Sequence, residues 1–319
     1  MAKWLVTGGA GFIGSHLIDA LLGRGDSVVC VDSLNEAYDS KIKVVRARRH
    51  HEGWGDSGHY QHFVATLQEI EHRYYWSSIL SDVDVVVHLA ARAGVRASVE
   101  CPELYHKDNG GGTLAILKAT AKHAPAARFI YASSSSVYGD YDGPMAETLA
   151  VNPQSPYAAT KLYGEALTSA YRKCHGLDAT SLRFFTVYGP DGRPDMCVRI
   201  FAEAIMAGKP VPVFGDGLQS RAFTYVGDVV RGILTAAAKK DMLLDTYNLG
   251  NHTDWSLDAV IRRLEGYIDK EAKVEHCVPN PADVRRTWCC PGSFEVETDW
   301  RCHVGIDEGL KNVVDWMKQ

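Results

Sequence analysis

The chain begins with an apolar stretch, Trp4-Leu5-Val6, that leads through Thr7-Gly8-Gly9-Ala10-Gly11 straight into Phe12-Ile13-Gly14. No other feature of the sequence constrains the fold as strongly. The apolar stretch predicts a buried strand. After the glycines, Ile13, Leu17, Ala20 and Leu21 recur at helical spacing and predict a helix over residues 12–24. Gly8 permits a tight turn, Gly11 lets a ligand touch bare backbone, and Gly14 allows the helix to pack closely on the strand. A helix opening at this point also aims free N–H groups and the positive end of its dipole at whatever sits over the turn. Strand, turn and helix together predict a phosphate-cradling dinucleotide site, with Gly8, Gly11, Phe12 and Ile13 on its phosphate side.

Apolar runs at 27–31, 83–89 and 129–132, separated by amphipathic stretches, extend the pattern. Strands that are apolar on both faces and alternate with helices indicate an α/β chain with a Rossmann-type doubly wound parallel sheet. Asp32 closes the second strand, about 20 residues beyond the glycines. Its carboxylate suits the two hydroxyls of an adenosine ribose and repels a 2′-phosphate. No arginine follows immediately to compensate, so the expected cofactor is NAD and not NADP. The basic stretch 35–57, with Arg46, Arg48, Arg49, His50 and His51, reads as a surface helix and loop with a solvated face.

From Gly189 onward Pro190, Pro194, Pro210 and Pro212 break the texture, and the strand and helix pattern returns over 223–238 and 247–250 before a last helix at 306–317. The expected division is an NAD-binding domain over 1–185, to which 223–251 returns. A smaller mixed α/β substrate domain takes 186–222 and 252–319. A net charge of −5 argues against a nucleic-acid partner, while a few arginines in a cleft would still admit a small anion. The first strand starts too early to leave room for an export signal, and no run of about 18 apolar residues occurs. The eight cysteines show no zinc spacing. They read as reduced thiols of a cytoplasmic protein, the adjacent Cys289 and Cys290 as packing residues, and no metal is expected.

Tyr157 and Lys161 stand four apart and share one helical face. A phenol with a pKa of about 10 is a weak base at neutral pH. A neighbouring ammonium and a cationic nicotinamide both favour its ionised form. Upstream, Ser133-Ser134-Ser135-Ser136-Val137-Tyr138-Gly139 closes the strand at 129–132. Ligands of open α/β sheets bind at such carboxyl ends, and a serine hydroxyl there can bridge a tyrosine and a substrate hydroxyl.

Taken together these residues resemble the extended short-chain dehydrogenases/reductases, over nearly the whole chain. The nearest resemblance is to UDP-glucuronate 4-epimerases. It is carried by Ala93-Gly94-Val95-Arg96, by the serine run through Gly139, and by Arg183-Phe184-Phe185-Thr186-Val187-Tyr188-Gly189-Pro190. Gly192-Arg193-Pro194-Asp195-Met196 and Phe223-Thr224-Tyr225 add to it. The resemblance implies Tyr157 as base, Lys161 as its electrostatic partner and Ser134 as the catalytic hydroxyl. It implies cofactor contacts at Leu89, Ala90, Ala91, Asn109, Tyr157, Lys161 and Phe184. It places Ser135, Thr186, Arg96 and Arg193 near the sugar, Arg221 at the diphosphate and Asp283 in a nucleotide-proximal segment.

The implied reaction takes hydride from C4 to NAD, rotates the 4-keto sugar, and returns hydride to the opposite face, as a homodimer pairing helices around 103–123 and 157–173. For a uronic acid the intermediate is a β-keto acid that loses CO₂ readily. Ser135, Thr186 and Arg193 are expected to hold its carboxylate away from the geometry of that loss. Related dehydratases and decarboxylases carry acids where this chain has Ser135 and Ser136. A UDP-glucose or N-acetylglucosamine 4-epimerase, a dehydratase or decarboxylase, and an NAD-binding scaffold are the competing readings. Thr66 stands where an adenine-contacting Asp is usual, Ala222 replaces an acid, and Cys289-Cys290 replaces a small-acidic pair.

Overall fold

The structure is a computed structural model and describes residues 1–72, 75–279 and 282–319. Seven strands form its main sheet: β1 (Lys3–Thr7), β2 (Ser27–Asp32), β3 (Tyr60–Val64), β4 (Val85–His88), β5 (Arg128–Ser134), β6 (Ala179–Phe184) and β7 (Thr246–Leu249). Their order across the sheet is β3-β2-β1-β4-β5-β6-β7, with β1 parallel to both β2 and β4, β2 parallel to β3, and β4 parallel to β5. The chain winds outward from β1 in one direction and then, from β4, in the other. In such sheets ligands bind at the carboxyl ends beside the reversal. Thr7, Asp32, His88 and Ser134 are the last residues of β1, β2, β4 and β5.

The α/β expectation holds for a physical reason visible strand by strand. β4 and β5 are buried at every position, so both faces need a helical cover. Helix α1 (Phe12–Gly23) supplies part of it through Leu17, Ile18, Leu21 and Leu22. Helices α2 (Ser40–Trp54), α3 (Leu67–His72), α4 (Gly112–His123) and α5 (Pro156–His175) follow. The start of α5 is set by Ser155, whose hydroxyl accepts the Ala158 N–H, with Pro156 at the first helical position; its end is set by Gly176 in the left-handed region.

By contacts the chain forms two compact units. The first comprises Met1–Ser134, Ser155–Arg183 and Gly232–Tyr247; the second comprises Ser135–Gln154, Phe184–Arg231 and Asn248–Gln319. The first unit's core includes Leu5, Val29, Val86, Ile116, Phe129 and Tyr131. The second has its own core, where α6 (Cys197–Ala207), α7 (Leu257–Ile268) and α8 (Ile306–Met317) gather Phe201, Leu264 and Leu310 around Tyr188 and Phe223.

One expectation needs correction. Helix α2 does not present only a solvated face, because Lys43, Arg46 and His50 are buried along it. Each has found a partner: Lys43 donates to the Asn35 carbonyl and Oδ1, Arg46 to Ala10 O and Tyr38 Oη, and His50 Nε2 meets Asp19 Oδ1 at 2.9 Å. Buried charge is tolerable when so paired. Arg48, Arg49 and His51 remain exposed, as expected.

Candidate active site

In the first unit the glycine turn has the geometry its sequence implies. Gly8 sits at φ +73°, and a Cβ there would lie 2.7 Å from Ala90 N. A Cβ on Gly14 would lie 2.3 Å from Gly8 O, and one on Gly11 3.0 Å from the same oxygen. Gly9 was not singled out by the motif, yet a Cβ on it would meet Cys30 Sγ at 2.5 Å. The first turn of α1 carries no acidic residue, and Gly11 provides no side-chain cap, which suits an anion as partner for its N–H groups. Phe12 turns its side chain into the core while Ile13 stays half-buried.

Asp32 binds the neighbourhood together: Ala10 N–H donates to Oδ2 at 3.1 Å and Leu34 N–H to Oδ1 at 2.8 Å. Its oxygens keep lone pairs for further donors such as ribose hydroxyls. Across β1, Leu89 N–H donates to Thr7 O and Ala90 N–H to Thr7 Oγ1, which sets the backbone of Leu89, Ala90 and Ala91 beside the turn. Bare backbone, an uncapped helix start and an oriented carboxylate fit a dinucleotide.

Asn109 lies in a π-helical turn, His106–Gly111. Both of its amide N–H groups are used. Oδ1 accepts Arg92 N–H at 2.7 Å, and Nδ2 donates to Arg92 O at 3.0 Å and Thr160 Oγ1 at 2.9 Å. It therefore ties the segment after β4 to the turn of α5 between Tyr157 and Lys161.

Lys161 is buried, and its Nζ donates to Ala132 O at 2.7 Å. It lies 5.9 Å from the Tyr157 ring centroid and 5.3 Å from that of Tyr131. Burial pulls the Lys161 pKa down to about 7, against which the charge of Glu165 acts. Tyr157 is half-buried, and Tyr105 meets its ring edge-on at 6.3 Å. Ser134 is buried at the end of β5. Close approach of α5 to β5 makes this grouping possible: at Gly164 an added Cβ would lie 2.1 Å from Tyr131 Oη. Beneath the site His88 joins Thr7 Oγ1 at 2.7 Å and Thr113 Oγ1 at 2.9 Å; burial, then the Lys161 charge, push its pKa down to about 3, so it stays neutral.

Arg96 stands in the first turn of the short helix Val95–Glu100, half-buried. The other substrate-side candidates belong to the second unit. Ser135 is buried at the start of a 3₁₀ turn; Phe184, a cofactor-side candidate in the same unit, is buried as well. Thr186, half-buried, opens a short strand parallel to Phe223–Tyr225. Arg193 forms a two-point pair with Asp195, Nε to Oδ1 at 2.9 Å and Nη2 to Oδ2 at 2.5 Å. Arg221 donates to the carbonyls of Val284 at 2.7 Å and Ser220 at 2.7 Å, which brings it beside the half-buried Asp283. Thr66 caps α3: its hydroxyl accepts Glu69 N–H, while Glu69 Oε2 accepts the Thr66 N–H and hydroxyl.

The motifs had pointed to Tyr157 and Lys161 but not to what surrounds them. Glu165, Arg183 and Ser133 form a buried cluster one turn further along α5. The i, i+4, i+8 spacing from Tyr157 to Glu165 was the available signal. None of the eight cysteines is joined in a disulfide, and among the described residues no group of three or more His, Cys, Asp or Glu is placed to hold a metal ion.

Residues 4–250 match the family described as the NAD dependent epimerase/dehydratase family. The chain belongs to this family. It is 40% identical over 321 residues to a UDP-glucuronate 4-epimerase of Thermodesulfobacterium geofontis, spanning 100% of this chain and 97% of that protein. Among solved structures it resembles UDP-glucuronic acid 4-epimerase from Bacillus cereus in complex with UDP-glucuronic acid and NAD. The identity is 34%, the TM-score 0.92, and 99% of each chain is covered. It also resembles a Thermus thermophilus UDP-glucose 4-epimerase complex with NAD, at 31% identity, a TM-score of 0.87 and 99% coverage of both chains.

Proposed function

We propose that this member of the family is an NAD-dependent UDP-glucuronate 4-epimerase, interconverting UDP-glucuronate and UDP-galacturonate through a 4-keto intermediate. The observation that carries the reading is the full-length similarity to UDP-glucuronate 4-epimerases, supported by Tyr157 and Lys161 on one face of α5 and by the bond from Lys161 to Ala132 O, two residues before Ser134 on β5. NAD, held by the Gly8–Gly14 turn and Asp32, supplies the acceptor and donor of hydride at C4.

Tyr157 takes the C4 hydroxyl proton and later returns it. Lys161, as an ammonium, favours the phenolate that does so, and Ser134 orients the hydroxyl through its own O–H. Asn109 keeps the helix turn carrying both groups in register. Ser135, Thr186 and Arg193 are assigned to the uronate carboxylate, with Arg96 near the sugar, Arg221 at the diphosphate and Asp283 toward the nucleotide. The pairing of Arg193 with Asp195 reduces its net charge, so the Ser135 and Thr186 hydroxyls carry much of that recognition.

The chain is read as a homodimer, supported by Leu104 and Tyr163, apolar side chains exposed on the two helical stretches assigned to the contact. Among the described residues no helix is long and apolar enough to cross a membrane. A cytoplasmic setting is supported by cysteines that form no disulfide, and a role without nucleic acid by the net charge of −5.

The test is incubation of purified protein with NAD and UDP-glucuronate, read by NMR and mass. The expected product is an isomer of equal mass, UDP-galacturonate, with turnover falling at least about 10²-fold in Tyr157→Phe. A product lighter by CO₂ or water, or turnover of UDP-glucose alone, overturns the substrate assignment. Absence of turnover on either sugar favours the scaffold reading.

A further inference from the structure

Tyr157, Lys161 and Glu165 lie at i, i+4 and i+8 on one face of α5. The first two belong to the proposed chemistry, whereas the third has been given no part in it. Glu165 is nevertheless 6% exposed and heavily engaged. Arg183 on β6 grips it with two donors, Nε to Oε1 at 2.8 Å and Nη2 to Oε2 at 2.7 Å. Ser133 donates its hydroxyl to Oε1 at 2.5 Å. A buried ion pair of this kind contributes little net stability over apolar packing, so folding alone does not explain its place.

Its surroundings supply a reason. Two consecutive residues of β5 are held in turn, Ala132 by Lys161 through its carbonyl and Ser133 by Glu165 through its hydroxyl, and the next residue, Ser134, is the proposed catalytic hydroxyl. The ionisable groups facing Lys161 come from four elements. They are neutral His88 on β4, Tyr131 on β5, Tyr157 and Glu165 on α5, and Arg183 on β6 beyond Glu165. Of these groups it is Glu165 whose charge opposes the tendency of burial to strip the Lys161 proton.

We propose that Glu165 is a positioning residue for the reaction: clamped by Arg183, it fixes the end of β5 through Ser133 and sets its carboxylate one helical turn from Lys161. The catalytic consequence rests on the epimerase reading; the electrostatic part belongs to the chain itself.

Two readouts test it. In protein labelled with ¹³Cε-lysine, the Lys161 resonance is identified by its loss in Lys161→Arg and titrated with and without NAD. The Glu165→Gln midpoint is expected at least about one pH unit below wild type. In epimerisation, Glu165→Gln lowers kcat about tenfold with KM nearly unchanged, and the alkaline limb of kcat moves down with the lysine midpoint. Glu165→Asp keeps the charge but withdraws it from Ser133, so its lysine midpoint stays within about 0.3 pH unit of wild type while kcat falls several-fold. This variant carries the test should Glu165→Gln not fold. An unmoved lysine midpoint in Glu165→Gln, or full kcat in Glu165→Asp, overturns the proposal. If wild type leaves UDP-glucuronate unchanged, the substrate assignment fails, while the lysine titration still decides the role of Glu165.

Discussion

Gly164 sits where α5 touches β5 most closely, so Gly164→Ala perturbs the site without altering any group assigned to the chemistry. The new methyl would begin 2.1 Å from Tyr131 Oη and 2.3 Å from its Cζ, whereas ordinary contact starts near 3.4 Å. Tyr131 is buried among the packed residues of the first unit's core, where interiors leave few voids for a ring to enter. Relief therefore requires α5 to move by about 1.3 Å, the difference between the contact distance and the starting separation. Overpacking of this kind costs about 1–3 kcal/mol. Alanine regains about 1 kcal/mol through helix propensity, so the net loss of stability is about 0–2 kcal/mol.

Catalysis responds differently, because Tyr157 and Lys161 ride on the displaced helix, and a 1 Å misplacement costs about 10²-fold. Stopped assays of UDP-galacturonate formation at saturating UDP-glucuronate, beside thermal unfolding, should show kcat down about 30- to 100-fold with a modest shift in Tm. NAD affinity is expected to fall far less than kcat, since the glycine turn is untouched. Activity within twofold of wild type would refute the claim that helix-to-strand spacing sets the position of the tyrosine.

Two further perturbations separate the remaining assignments. Thr186→Ala is expected to slow epimerisation of UDP-glucuronate and raise the share of 4-keto-pentose, measured by mass spectrometry; an unchanged rate with no decarboxylated product removes Thr186 from carboxylate recognition. Asp32→Ala removes the acceptor of the Ala10 and Leu34 N–H groups as well as the proposed ribose contact. It should therefore weaken NAD binding by calorimetry about tenfold or more, while an unaltered Kd would place the ribose elsewhere.

What could be read in advance follows from the range of each interaction. The glycine turn, the terminal Asp32 and the Tyr157–Lys161 pair depend on neighbours within a few residues or on one helical repeat, and periodicity exposes them. Glu165 with Arg183 was out of reach, since an acid and a base eighteen positions apart become partners only through the packing of α5 beside β6. The buried face of α2 escaped for a related reason: Lys43, Arg46 and His50 look like solvent-seeking residues until Asn35, Ala10 and Asp19 arrive to accept from them. Arg221 illustrates the same limit, as its guanidinium is turned toward backbone carbonyls of a segment more than sixty residues later.

The π-helical turn that carries Asn109 imposes a rule on how the gene can drift in length. Such a turn spends one residue more than the α-helical turn it interrupts, and everything downstream is phased by that surplus. Loss of a single codon within 106–111 would restore a plain helix and swing the amide through roughly 100° about the axis, away from Arg92 and Thr160. Codon deletions there are expected to abolish turnover in a deletion scan, whereas an exposed tip such as 56–58 tolerates them.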